Sequence, residues 1–221
     1  MEKKDNMSAG LQEISDIFDY LDALKMLKEN ADYLTIFAVK DTAGHEFSEE
    51  MFLKMKDLGL KESLVDKYRR SYIGVVDSQR NLYEILEAKG RASEVSLCVG
   101  GHNIHVISRT YTNGNGVLIS LDEMDYAVGS RGLNIVVVEK KTMTVIDSVG
   151  FDTNTPYAIC HRSPEHLASR GHVQSQLTII ENNLTKKIDL LEERIAELGK
   201  RLDAFLDNPE KAQFDDESSI D

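Results

Sequence analysis

Long apolar runs are missing from this chain. No stretch approaches the roughly 20 consecutive apolar residues that a bilayer-spanning helix needs, so membrane insertion is not expected. Cysteine is scarce too: Cys98 and Cys160 are the only two. They form no CxxC pair and no disulfide framework, and both are expected as reduced thiols, Cys98 buried in a strand. A single disulfide between them stays open. Positive charge is in deficit, with a formal net charge of -12. That balance works against non-specific binding to nucleic acid or anionic lipid, which needs clustered Lys and Arg. The polar opening Met1–Asn6 leads into no apolar signal core. No cleaved signal peptide is expected, and the chain is expected to be cytoplasmic when made, with later association with a virion or surface left open.

What is present suffices for one buried core. The apolar fraction is 41%, too high for a disordered chain. Residues 1–15 read as a flexible lead-in. Ile17, Leu21, Leu24 and Met26/Leu27 recur at helical spacing, so a helix is expected from Asp16 to Glu29. Tyr33–Val39 reads as a strand buried on both faces. Ser48, Glu49 and Glu50 suit a helix N-terminus, with the helix running to Leu58 and Gly59 as its stop. A short helix is expected at Glu62–Lys67, then a strand at Ser71–Val76. Further strands are expected at Leu82–Ala88, Glu94–Val99, His102–Ser108, Gly116–Ser120, Asn134–Glu139 and Thr144–Val149. Gly100-Gly101, Asn113-Gly114-Asn115-Gly116 and Gly129 supply turns between them. Residues 154–172, with Pro156 and Pro164, read as a linker.

Residues 173–207 carry the clearest pattern. Ile188, Ile195 and Leu202 fall at heptad position a, and Leu184, Leu191, Leu198 and Phe205 at d. β-Branched a positions with Leu at d favour a parallel dimer, with a trimer as competitor. Lys187 and Glu192 sit where an interchain charge pair can form. A single amphipathic helix folded back on its own domain is the alternative. The acidic tail, 208–221, is expected to be disordered.

The stretch Gly129-Ser130-Arg131-Gly132-Leu133-Asn134, the following strand, Val145-Ile146-Asp147-Ser148 and then Phe151-Asp152-Thr153 resemble the signature of the interleukin-like EMT inducer (ILEI) domain family. Glu94–Val99, Gly100-Gly101 and Gly116–Leu121 resemble the strands that open that domain. The family's later parts are similar to segments at the front of this chain: the helix Asp19–Glu29, the strand end Phe37-Ala38-Val39-Lys40-Asp41, the stop Leu58-Gly59, and Tyr68-Arg69-Arg70-Ser71-Tyr72-Ile73-Gly74. The likeness spans about residues 17–153 with its halves exchanged. It implies a circular permutation, or a domain swap in which each half completes a neighbouring chain. The implied fold is α+β: compact ILEI-like β-sandwich-type sheets with flanking helices over residues 16–153, plus the C-terminal coiled-coil helix.

Some members of that family bind carbohydrate. The resemblance implies a small glycan site built from Asp41, Arg69 and Arg131, with Tyr72, Tyr68 or Tyr33 as a stacking face. A carboxylate accepts two hydroxyl hydrogen bonds and a guanidinium donates several in a plane. An aromatic ring covers sugar C–H groups. The same charges could instead form a structural ion-pair set. Asn134 and Asp152 read as structural, Asn134 entering a strand from a tight turn and Asp152 capping the backbone that follows.

Enzymatic readings fare worse. His102 and His105 lie three apart on a strand, so their rings point to opposite faces and no metal site is expected. Cys160 and His161 are adjacent in sequence, which is not the spatial pairing a thiol nucleophile needs. The many acids give no specific pair for glycoside hydrolysis. Asn113–Gly116 lacks the Lys-Ser/Thr of a phosphate loop. No cofactor is expected. The expectation is a non-enzymatic carbohydrate- or ligand-binding module on a coiled-coil oligomer. It would suit a surface, fibre or virion-associated adhesion protein, or a polysaccharide-synthesis accessory. The rival is a purely structural fibre, tail or scaffold protein whose domain mediates protein–protein packing.

Overall fold

The computed structural model describes residues 10–44 and 46–162, and further on the positions 185, 188, 191, 192, 195, 196, 198 and 199. The chain divides into two units, Met1–Ile179 and Ile180–Asp221. In the first, the order is α1 (Ile17–Asn30), β1 (Tyr33–Lys40), α2 (Glu49–Asp57), β2 (Tyr72–Asp77), β3 (Asn81–Leu86), β4 (Ser93–Val99), β5 (His102–Ser108), β6 (Val117–Leu121), β7 (Met124–Asp125), β8 (Gly132–Glu139), β9 (Thr144–Asp152) and β10 (Ile159–Arg162). A 3-10 turn at Tyr111–Asn113 joins β5 to β6. No helix among the described residues is long and apolar enough to cross a membrane.

Local chemistry places the helix ends. The Asp16 carboxylate accepts from the backbone N–H of Phe18 and Asp19, and Ser48 Oγ accepts from Met51 N–H, so both helices begin on capped donors. Gly59, at φ +100°, ends the second helix, its N–H donating to Lys56 O.

Two antiparallel sheets form the body, one ordered β10-β9-β8-β1-β2-β3 and the other β4-β5-β6-β7. β1 lies inside the larger sheet, between β8 and β2. Strands from the front and the back of the chain therefore close into one sheet. Side chains alternate across this sheet with period two. Tyr33, Phe37, Tyr72, Leu133, Ile135 and Val137 pack with Leu21, Leu24, Met51 and Met55 of the helices. Leu34, Ile36, Ala38, Ile73, Val75, Val136 and Val138 pack with Ile104, Val106, Ile119 and Leu121 of the smaller sheet. β1 is buried on both faces because it lies between these layers. The coarse expectation, α+β with two packed sheets and flanking helices, holds.

Four local expectations are corrected. Glu62–Lys67 is not a helix but irregular chain with one turn at Val65-Asp66, followed by a second at Tyr68-Arg69: Asp66 and Arg69 take left-handed φ, and Ser63 Oγ accepts from Val65 N–H in place of a helical bond. Cys98 is exposed, because the inward register of β4 belongs to Val95, Leu97 and Val99. The expected linker contains β10, which pairs with β9 through Ile159↔Asp152 to Arg162↔Val149. The lead-in is anchored from residue 10 onward: Leu11 is buried, and the Arg162 guanidinium donates to the carbonyls of Leu11 and Ile14 at 2.8 Å each. Of the coiled-coil positions, Ile188, Leu191, Ile195 and Leu198 are helical and exposed, whereas Leu184, Leu202 and Phe205 lie outside the described residues. So do residues 1–9 of the lead-in and the acidic tail.

Candidate functional site

The loops that leave β1 and β5, and those that enter β2, β4 and β8, gather at one end of the two sheets. The last rung between β1 and β8 is Lys40↔Gly132, so Asp41 and Arg131 are the first residues beyond it. Asp41 turns the chain with φ +65°, a conformation Asp tolerates better than most residues. Its N–H donates to Arg109 O at 3.0 Å, and its Oδ1 accepts from Tyr111 N–H at 3.2 Å. The next residue, Thr42, accepts at Oγ1 from Arg69 N–H at 3.1 Å. Gly44 closes the turn against Thr153: a Cβ there would lie 2.2 Å from Thr153 O, which excludes any side chain. Thr153 Oγ1 donates to Ala43 O.

Arg69 sits where these loops meet. Its φ is +53°, a strained state for a long side chain of order 1 kcal/mol. Its carbonyl accepts from Gly90 N–H at 3.0 Å, and Gly90 O accepts from Asn113 Nδ2 at 2.8 Å. The guanidinium lies over two phenol rings, 5.1 Å from the centre of Tyr68 and 5.2 Å from that of Tyr111. Lys89 Nζ stands 5.4 Å from the Tyr68 ring. Both rings face solvent, Tyr68 at 43% and Tyr111 at 63% of full exposure. Arg69 Nε is buried and has no hydrogen-bond partner among the described residues. Cation–ring attraction fixes the plane of the guanidinium but leaves its N–H groups unused.

Arg131 has a different environment. Its Nε and Nη2 donate to the two oxygens of Asp152 at 3.2 Å each, a bidentate pair. Asp152 also accepts from Asn154 N–H at 3.1 Å, the capping role expected of it. Asn134, fully buried, donates to Ser130 O at 2.8 Å and accepts from Ser130 N–H at 3.0 Å, so it holds the Arg131 turn as expected.

The structure therefore joins Asp41 and Arg69 through Tyr111. It places Arg131 at the same sheet end but engages it with Asp152. Tyr72 is a correction. It is fully buried on the helix side of β2, and its hydroxyl donates to Glu84 at 2.9 Å. Burial, then the Glu84 carboxylate, raises its pKa well above that of a free phenol. It cannot offer a ring to a ligand, and Tyr33 is buried too. Tyr68 remains of the proposed stacking residues. Tyr111 and Lys89 were missed, although an aromatic residue in a segment of Thr, Asn and Gly is a signal that could have been read.

The other chemistry-bearing groups lie elsewhere. His102 bonds Asp122 and His105 bonds Glu94, so each ring is tied to a different acid. The largest cause of the lowered Asp122 pKa is the hydrogen bond from His102. Among the described residues, no group of three or more His, Cys, Asp and Glu side chains is arranged to hold a metal ion. Cys160 is buried in β10, and burial pushes its thiol up to about 11, so it stays protonated at neutral pH. A buried network joins Tyr20, Asp147 and Arg162, in which Asp147 accepts from the tyrosine hydroxyl and from the guanidinium. It lies between strands and helix, and its role is structural.

No protein-family model, no curated protein and no solved structure matches this chain.

Proposed function

We propose that the domain is a non-enzymatic ligand-binding module whose ligand is a glycan, held at the Asp41–Arg69–Tyr111 corner. One observation carries this reading: a guanidinium with unused N–H groups lies over two solvent-facing phenol rings, beside a carboxylate whose Oδ2 accepts no hydrogen bond from the described residues. Sugars need this combination, an aromatic face for C–H groups and fixed polar groups for hydroxyls. We further propose an ILEI-like architecture in permuted order, supported by the pairing of β1 with β8 and by the Asn134-pinned turn.

The helical segment multiplies the site by self-association. Support comes from the exposure of Ile188, Leu191, Ile195 and Leu198, which stand on the a and d positions. Avidity then compensates for weak single sites. An adhesion protein of a surface, fibre or virion, or a polysaccharide-synthesis accessory, would use such an arrangement.

The second reading is a scaffold domain that only packs against neighbours. The Arg131–Asp152 pair favours it at its own corner, since that arginine is already engaged. Glycan-array binding of the full chain, repeated with Asp41→Ala and Arg69→Ala, separates the two. Binding that disappears in both variants supports the glycan module. Absence of binding across a broad array leaves the scaffold.

A further inference from the structure

The chain is acidic as a whole, with a net charge of -12, yet the loops around Arg69 are not. Lys67, Arg69 and Arg70 precede β2, Lys89 and Arg91 precede β4, and Arg109 follows β5. Hydrogen bonds tie these loops together: Arg69 O accepts from Gly90 N–H, and Arg109 O from Asp41 N–H. None of these six cations has a carboxylate within ion-pair distance among the described residues. With Lys61 they make seven cations in these loops against five acids, Asp41, Glu46, Glu62, Asp66 and Glu87. Like charges gathered without partners repel one another and raise the local positive potential. Elsewhere among the described residues cations are in part paired, as in Lys25 with Asp57, Lys54 with Asp22 and Lys140 with Asp77, and in part single, as in Lys56, Arg80 and Lys141; what sets the Arg69 loops apart is the number gathered in one place.

We infer that the ligand of this corner is an acidic sugar, one whose carboxylate is taken by the Arg69 guanidinium within this field of unpaired cations. The inference deepens the glycan-binding reading and rests on it. A guanidinium whose plane is set by two rings presents its free edge to a planar carboxylate in a two-point geometry. Tyr68 and Tyr111 then cover the C–H face of the sugar ring. Lys89, standing over Tyr68, adds charge without direction. A phosphate would answer to the same cations, and a single-stranded nucleic acid to the same rings and charges. The compactness of the patch on an otherwise acidic body favours a small anionic unit over a polyanion.

The test is isothermal titration of the full-length protein with four probes: a uronic-acid-terminated oligosaccharide, its neutral counterpart with the carboxyl reduced, inorganic phosphate, and a single-stranded oligonucleotide. The acidic sugar is expected to bind at least roughly tenfold more tightly than the neutral one, with affinity falling as salt rises. Arg69→Lys, which keeps charge but loses the planar fork, is expected to cost roughly tenfold. Lys89→Gln, at an exposed position, is expected to weaken binding and flatten the salt dependence, and provides the check should Arg69→Lys disturb the fold. Equal affinity for both sugars overturns the acidic assignment and leaves the glycan reading standing. Binding to neither sugar overturns both. Phosphate or oligonucleotide binding as tight as the acidic sugar overturns the sugar class.

Discussion

Replacing Arg162 with Met removes a guanidinium that is almost wholly enclosed. Its side chain is 1% exposed and that of its partner Asp147 is 0% exposed. In the native protein it donates to both oxygens of Asp147 and to the carbonyls of Leu11 and Ile14. Met fills much of the volume but donates nothing. Asp147 would keep only the Tyr20 hydroxyl, at 2.8 Å, and the Ser148 N–H, at 2.9 Å. Breaking one side of a buried pair costs about 3–5 kcal/mol, because the remaining charge is uncompensated. The orphaned Ile14 carbonyl adds to this, while Leu11 O keeps the Ile14 N–H at 3.2 Å, unless the segment at Leu11–Ile14 peels away and hydrates. At about 2–4 °C per kcal/mol for a domain of this size, the melting temperature should fall by roughly 6–20 °C. Thermal denaturation followed by circular dichroism reads that directly. The double variant Asp147→Leu/Arg162→Met should recover much of the loss, since an apolar replacement of a whole buried pair is often neutral. A single Arg162→Met variant that melts within about 1 °C of the parent would refute the reasoning. So would a double variant less stable than the single one.

Three further predictions follow from other parts of the structure. Burial works against the charge of Asp77, but hydrogen bonds from Arg80 and Gln79 N–H and from Lys140 outweigh it and hold its pKa below the usual carboxylate value. This stability is present above the unfolded carboxylate pKa near 4 and is lost as pH falls through the lower folded value, so urea midpoints should drop across that acid range, and less so in Asp77→Asn. Tyr72→Phe should cost about 1 kcal/mol through the lost bond to Glu84, measured by urea denaturation, while leaving glycan affinity untouched, in contrast to Tyr111→Ala. Light scattering of full-length protein should report an oligomer, and a truncation to residues 1–170 or the pair Ile188→Lys and Ile195→Lys a monomer; equal masses would remove the coiled coil from the argument.

The elements whose pattern is local were legible. The Ser48 cap, the Gly59 stop and the period-two strands each depend on neighbours a few residues away, so residue order determined them, whereas Asp16, read as the first helical residue, is the cap before it. The doubly buried β1 was visible because a strand enclosed by two layers must be apolar at nearly every position. Asp41, Arg69 and Arg131 lie at one sheet end, a juxtaposition that no local pattern in the sequence marks.

What escaped was set by distant partners. Arg162 is a charge at an interior position, and it reads as a linker residue until Asp147 and two carbonyls from the chain's beginning surround it. Tyr72 and Tyr111 look equally available in the sequence. Tyr72 lies in the core because both faces of β2 are covered by packed layers, whereas Tyr111 stands on the 3-10 turn between β5 and β6 and faces solvent. The cations around Arg69 are scattered over some forty residues and are masked by a net negative composition. Only the folding of three loops against one another brings them together, since electrostatic potential depends on distance in space and not along the chain.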